Sequence, residues 1–181
     1  MENFSEWAGP AVTAAIVSSL VTAFGWMASY RNARKLDLAK RQEKVRDTQM
    51  ALIAEIRSNL RQFNDMDFDD IQRTVFAAIA NGTVRNPYTP FVPKFAHTFV
   101  FETILPDISI LPSDVIEGVV KYYKAEYKLS LFADDLRGEV YAKLPPERKR
   151  LAYADYLVFI KFAQKTGRAA LQELESSVQR T

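Results

Sequence analysis

WAGPAVTAAIVSSLVTAFGWMASY, residues 7–30, is an unbroken run of 24 uncharged residues between Glu6 and Arg31. As a helix rising about 1.5 Å per residue it would measure roughly 36 Å, enough to cross a hydrocarbon layer of about 30 Å with some tilt. Trp7 stands at one end, and Trp26 and Tyr30 at the other. Such amphipathic rings favour the boundary between lipid and water. A secretory leader fits poorly, because the segment before the run is acidic and the run itself is too long. The stretch reads as a transmembrane helix, with a buried core helix as the alternative.

Charge gives the orientation. Residues 1–30 carry only Glu2 and Glu6, whereas residues 31–64 carry nine Lys/Arg against four Asp/Glu, net +5. Arg31, Arg34, Lys35, Lys40, Arg41, Lys44 and Arg46 follow the apolar run directly, and no Lys or Arg precedes it. The positive-inside rule then puts the N-terminus outside and everything after Tyr30 in the cytoplasm. The basic cluster could also touch anionic headgroups. The expected order is a short extracytoplasmic tail (1–6), a single transmembrane helix (7–30), a basic juxtamembrane helix (31–47) and a cytoplasmic helical bundle (48–181). The location implied is the inner, cytoplasmic membrane.

Within the run, Ala11, Ala15, Ser18, Thr22, Gly25 and Ser29 recur at spacings of 4, 3, 4, 3 and 4 and so share one helical face. Val12, Ile16, Leu20, Phe24 and Met27 lie on the other side. Small, weakly polar residues let helix backbones approach closely in lipid. The face reads as a packing surface for a dimer or partner helix, or alternatively as the lining of a pore built from several copies. Either reading implies association, most simply a homo-oligomer.

The remaining chain reads as all-α. Residues 31–63 contain no Pro or Gly, and Leu52, Ile56, Leu60 and Phe63 form a helical apolar stripe. One long helix is expected to leave the membrane and enter an antiparallel bundle. DMDFDD (65–70) departs from the calcium-loop template, with Asp70 and Phe76 where Gly and Glu are needed. It reads instead as the capped start of a helix near Asp70–Ala80 that stops at Asn81-Gly82. Pro87, Pro90 and Pro93 mark an irregular crossing, expected to be pinned by Tyr88 and Phe91. A short apolar helix is expected over 95–101. Asp114 and Glu117 resemble a capping box for a helix with Ile116, Val120, Tyr123, Tyr127 and Leu131 on its buried face. After Pro145-Pro146, a last helix carries Leu157, Ile160, Gly167, Leu171, Leu174 and Val178.

Little of this points to catalysis. The chain has 181 residues, no cysteine and one histidine, His97, which stands among Phe95, Phe99 and Phe101. A thiolate nucleophile is therefore absent, and a histidine-ligated zinc site lacks ligands. No glycine loop suited to phosphate appears. Tyr122, Tyr123 and Tyr127 read as bundle core, and Arg148, Lys149 and Arg150 as a solvated helix start. No enzyme activity, cofactor or metal is expected. The net charge of +2 is too small to argue for bulk nucleic-acid binding, although Arg57, Arg61, Arg148 and Lys149 leave an RNA partner open.

The order of an uncharged span, a basic helix, Ala54-Glu55-Ile56-Arg57-Ser58-Asn59-Leu60 and a helical domain resembles small bacterial membrane-anchored proteins. It is similar in architecture to the membrane accessory proteins encoded beside type VI-B CRISPR nucleases. Those accessory proteins are oligomeric membrane pores with a cytosolic domain related to the HEPN fold, and the resemblance implies oligomerisation and a role in defence against phage. The HEPN nuclease signature, an Arg followed four to six residues later by a His, is not met. Arg85 lies twelve positions before His97. Two functions are therefore expected: a self-associating membrane protein that forms a pore or effector, or a membrane-tethered adaptor that recruits a cytoplasmic protein or RNA.

Overall fold

A computed structural model describes residues 4–83, 88–93 and 98–180, without the side chains of residues 4–8, 10, 11 and 13. Among them every regular element is helical: α1 (Phe4–Arg61), α2 (Phe68–Asn81), α3 (Phe99–Ile104), a 3-10 turn (Leu105–Ile110), α4 (Ser113–Arg137), α5 (Glu139–Ala142) and α6 (Pro146–Arg180). The chain divides into two compact units, Met1–Lys44 and Val45–Thr181.

In the second unit, α4 and α6 form a long antiparallel pair. Asp114 meets Arg180 at one end, and Phe132 meets Phe159 towards the other. The last turns of α1 cover one end of this pair. Leu52, Ile53, Ile56 and Leu60 pack with Val115, Val119, Tyr122, Ala170 and Leu174. Helix α2 covers the other end, where Val75 and Ile79 join Leu129, Leu136, Tyr156 and Ile160. The end of α1 runs antiparallel to α6. Arg57 pairs with Glu175, and Gln164 donates to the Phe63 carbonyl; further on, Lys161 lies over the Phe68 ring. Helix α6 is thus the antiparallel partner of α1 and α4 and packs against α2.

Local chemistry explains several boundaries. Asp67 is the N-cap of α2, its carboxylate accepting from the amides of Asp69 (3.1 Å) and Asp70 (3.0 Å). The acidic run therefore starts a helix, as the sequence suggested. Helix α2 ends at Asn81, and Gly82 follows because the crossing returns closely. A Cβ there would sit 2.9 Å from the Tyr88 amide. The stripe Leu52, Ile56, Leu60 and Phe63 is buried throughout, as are Leu157, Ile160, Gly167 and Leu174.

Other expectations need correction. The capping box at Asp114 and Glu117 does not form. Helix α4 begins at Ser113 behind Pro112 with no side-chain cap, and Asp114 is taken by Arg180. Helix α3 spans Phe99–Ile104 with Thr98 as its N-cap and so shares 99–101 with the expected helix; residues 94–97, including His97, lie outside the described residues. The expected stripe on α4 holds only in its first half, where Tyr123 is buried and Ile116 and Val120 are half-buried. Val115, Val119, Tyr122, Glu126 and Leu129 face inward, while Tyr127 is 66% exposed and Leu131 is also exposed. The crossing is not pinned by Phe91, which is 87% exposed, but by buried Val92. Arg137 donates to the carbonyls of Val92 (2.9 Å) and Pro93 (2.6 Å) and secures it.

Candidate functional site

The residues singled out for membrane association all lie on α1. Ala15, Ser18, Thr22, Gly25 and Ser29 are exposed along one face of it; the side chain of Ala11 lies outside the described residues. The face is chemically quiet. The Thr22 hydroxyl donates to the Ser18 carbonyl at 2.8 Å, and the neighbouring Ser19 to Ala15 at the same distance. These back-bonds satisfy the Thr22 and Ser19 hydroxyls within the helix. Around Gly25 there is open space for another backbone.

Across the same turns the large side chains Val12, Ile16, Val17, Leu20, Val21, Phe24, Met27 and Tyr30 are exposed, and Trp26 is 78% exposed. Transferring that surface out of water is worth on the order of 10 kcal/mol, at about 1.5–3 kcal/mol for each fully buried side chain and less for these half-covered ones. Among the described residues no helix is long and apolar enough to cross a membrane. The early part of the 7–30 run, with the side chains of Trp7, Ala8, Pro10, Ala11 and Thr13, falls outside those residues. The basic residues Arg31, Arg34, Lys35, Lys40, Arg41, Lys44 and Arg46 follow on α1, all of them exposed.

A second feature was not legible in the sequence. Between the two apolar clusters lies a polar layer built from Asn59 of α1, Tyr122 and Glu126 of α4 and Thr166 of α6, all buried. Tyr122 Oη donates to Glu126 at 2.9 Å, and Thr166 Oγ1 donates to its own helix's carbonyls at Phe162 and Ala163. Asn59 Nδ2 is buried without a partner. Burial raises the Glu126 carboxyl above its ordinary value, an effect partly offset by the Tyr122 hydroxyl. Burial also pushes the Tyr122 phenol well up, helped by the Glu126 charge. The helices close tightly beside this layer. A Cβ on Gly167 would lie 2.9 Å from the Tyr122 ring and 3.0 Å from Leu60.

A neighbouring tie joins α3 to the bundle. Glu55 accepts from the amides of Val100 (2.7 Å) and Phe101 (3.2 Å) and from the Tyr123 hydroxyl. The Phe101 and Tyr123 rings stack at 3.9 Å. Burial raises the Tyr123 phenol, and its bond to Glu55 raises it further.

The basic run 148–150 is not uniformly solvated. Lys149 is 3% exposed, donates to the Tyr88 carbonyl at 3.2 Å and lies 5.9 Å from the centre of the Tyr141 ring. Arg57 pairs with Glu175. Between α4 and α6 runs a groove of about 330 Å³ in which Glu117, Lys121, Lys165 and Glu173 alternate in sign beside Phe162. Neither a protein-family model, nor a curated protein, nor a solved structure matches the chain.

Proposed function

We propose that this protein is a single-pass membrane protein that associates through α1 and holds its helical bundle, from about residue 48 onward, at the cytoplasmic face. The observation that carries the reading is the exposed apolar surface of α1 from Val12 to Tyr30, followed immediately by exposed basic residues. A continuous apolar helical surface of this length is stabilised by an apolar surrounding, and lipid is the surrounding that the adjoining basic residues fit best. The small-residue face then acts as the contact between copies, either as a closed packing seam or as the wall of a pore. The architectural resemblance adds a role in bacterial defence. The bundle would sense or gate, since buried polar groups lie at the junction of its two cores.

The alternative function is that of a tethered adaptor, supported by the charged groove between α4 and α6 and by exposed aromatics such as Tyr127. The discriminating experiment compares the mass of the detergent- or nanodisc-purified full-length protein with that of the 45–181 fragment. A discrete oligomer of the full-length chain beside a monomeric fragment supports assembly through α1. Monomers in both cases leave the adaptor, which a pull-down with the fragment then tests.

A further inference from the structure

The seven basic residues after the apolar run divide into two groups with different electrostatics. Residues 31–36 contain Arg31, Arg34 and Lys35 and no acid, net +3. Residues 37–47 contain four basic residues against Asp37, Glu43 and Asp47, net +1. On the helix, Lys40 and Arg41 follow Asp37 by three and four residues, Arg46 follows Glu43 by three, and Lys44 precedes Asp47 by three. Those spacings bring opposite charges alongside one another. Asp37 also lies three residues after Arg34, so three cations stand at helical spacing to it, whereas Arg31 and Lys35 have no acid at either spacing.

Arg31, Arg34 and Lys35 stand at i, i+3 and i+4, which gathers them on one exposed face of α1. They begin one residue beyond Tyr30 and end within about 8 Å of it along the axis, at ~1.5 Å per residue. Lys40 to Arg46 lie roughly 15–24 Å beyond Tyr30 on the same measure. The screening length at physiological salt is about 8 Å, so a charged surface reached at Tyr30 acts strongly on the first group and weakly on the second.

We infer that Arg31, Arg34 and Lys35 form a binding face for the phosphates of anionic phospholipids, and that Lys40, Arg41, Lys44 and Arg46 do not take part. The inference rests on the anchoring proposed above. Two guanidinium groups suit bidentate contact with phosphate oxygens, and the lysine adds a point charge. Trp26 and Tyr30, both exposed at the end of the apolar run, set the depth of the helix so that the three cations meet the headgroup layer. The site therefore selects lipids by headgroup charge rather than by chain length.

Trp26 provides a built-in reporter. The chain has two tryptophans, and Trp7→Phe leaves Trp26 alone. The full-length variant is reconstituted into phosphatidylcholine bilayers in which either phosphatidylcholine or phosphatidylglycerol carries brominated chains, and fluorescence quenching gives the relative association of each lipid. Phosphatidylglycerol is expected to be preferred about five-fold at low salt, the equivalent of one surface charge contact, and less so at ~0.5 M salt. The R31Q/R34Q/K35Q protein should quench equally with both lipids, while K40Q/R41Q/K44Q/R46Q should keep the preference. Equal quenching in the unsubstituted protein overturns the lipid site and leaves the anchoring intact. Loss of the preference in the distal variant, with retention in the proximal one, overturns the assignment of residues. Absence of quenching by either lipid removes the anchoring and the site together.

Discussion

A carboxyl placed where Glu126 lies, 5% exposed and with the Tyr122 hydroxyl as its hydrogen-bond donor, is held in its neutral form more readily than in water. Its folded-state pKa exceeds the ordinary value of 4.5, so the unfolded chain loses this proton first as pH rises. The stability it contributes is fully present below about pH 4.5 and is lost as pH rises through the folded-state pKa. Glu126→Gln keeps a neutral amide of similar shape and has no proton to lose. It is expected to stabilise the bundle by on the order of 1 kcal/mol at pH 8, with the gain vanishing near pH 4. Thermal unfolding followed across that range checks this, and a gain that persists unchanged at pH 4 would assign it to packing instead. Gly167 offers a second residue-scale test. Gly167→Ala forces a methyl against the Tyr122 ring and Leu60 and should cost about 1–3 kcal/mol in denaturant unfolding. In an otherwise exposed helix the same change would stabilise, so the sign of the effect reports the close approach.

At the scale of elements, α2 depends on its first turn. Asp67 satisfies two amides that would otherwise be unpaired, and Asp67→Ala should lower stability by about 1 kcal/mol without altering the rest of the bundle. Asp65, which has no capping role, serves as the control: Asp65→Ala should have little effect. Helix α1 carries a different prediction. If its small face is the contact between copies, Ala15→Leu or Gly25→Leu should abolish oligomers in detergent while membrane insertion persists. Leu20→Ala, on the other side of the helix, should leave the oligomer intact. Unchanged mass in both leucine variants would move the assembly away from this face. Heptad-like small-residue spacing is visible in the sequence, but it does not say whether a face is occupied, because an isolated helix and a packed one have the same periodicity.

For the whole molecule, every buried apolar residue of the two clusters comes from Leu52 onward. The 45–181 fragment is therefore expected to fold and unfold cooperatively by itself, with a melting temperature within a few degrees of the full-length protein's bundle transition. The full-length chain should remain with membranes after alkaline extraction, and the fragment should be released. A fragment that aggregates or lacks a cooperative transition would mean that the first 44 residues contribute to the bundle.

Residue pattern alone determined that the chain is helical, that α1 continues past the apolar run, that the acidic run begins α2 and that Leu52, Ile56, Leu60 and Phe63 are core. These follow from local rules: periodicity, capping and the absence of Pro and Gly. Tertiary structure alone decided the rest. The sequence stripe on α4 placed Tyr127 and Leu131 inside, yet α6 and α1 press on the neighbouring face, where Val119, Tyr122 and Glu126 lie. Two overlapping apolar stripes on one helix have nearly equal periodicity, and only the partners that fill the space choose between them. Lys149 reads as one of three adjacent cations until the crossing places the Tyr88 carbonyl and the Tyr141 ring beside it. The Asn59, Tyr122, Glu126 and Thr166 layer joins residues from three helices far apart in the chain, and no local spacing encodes that meeting.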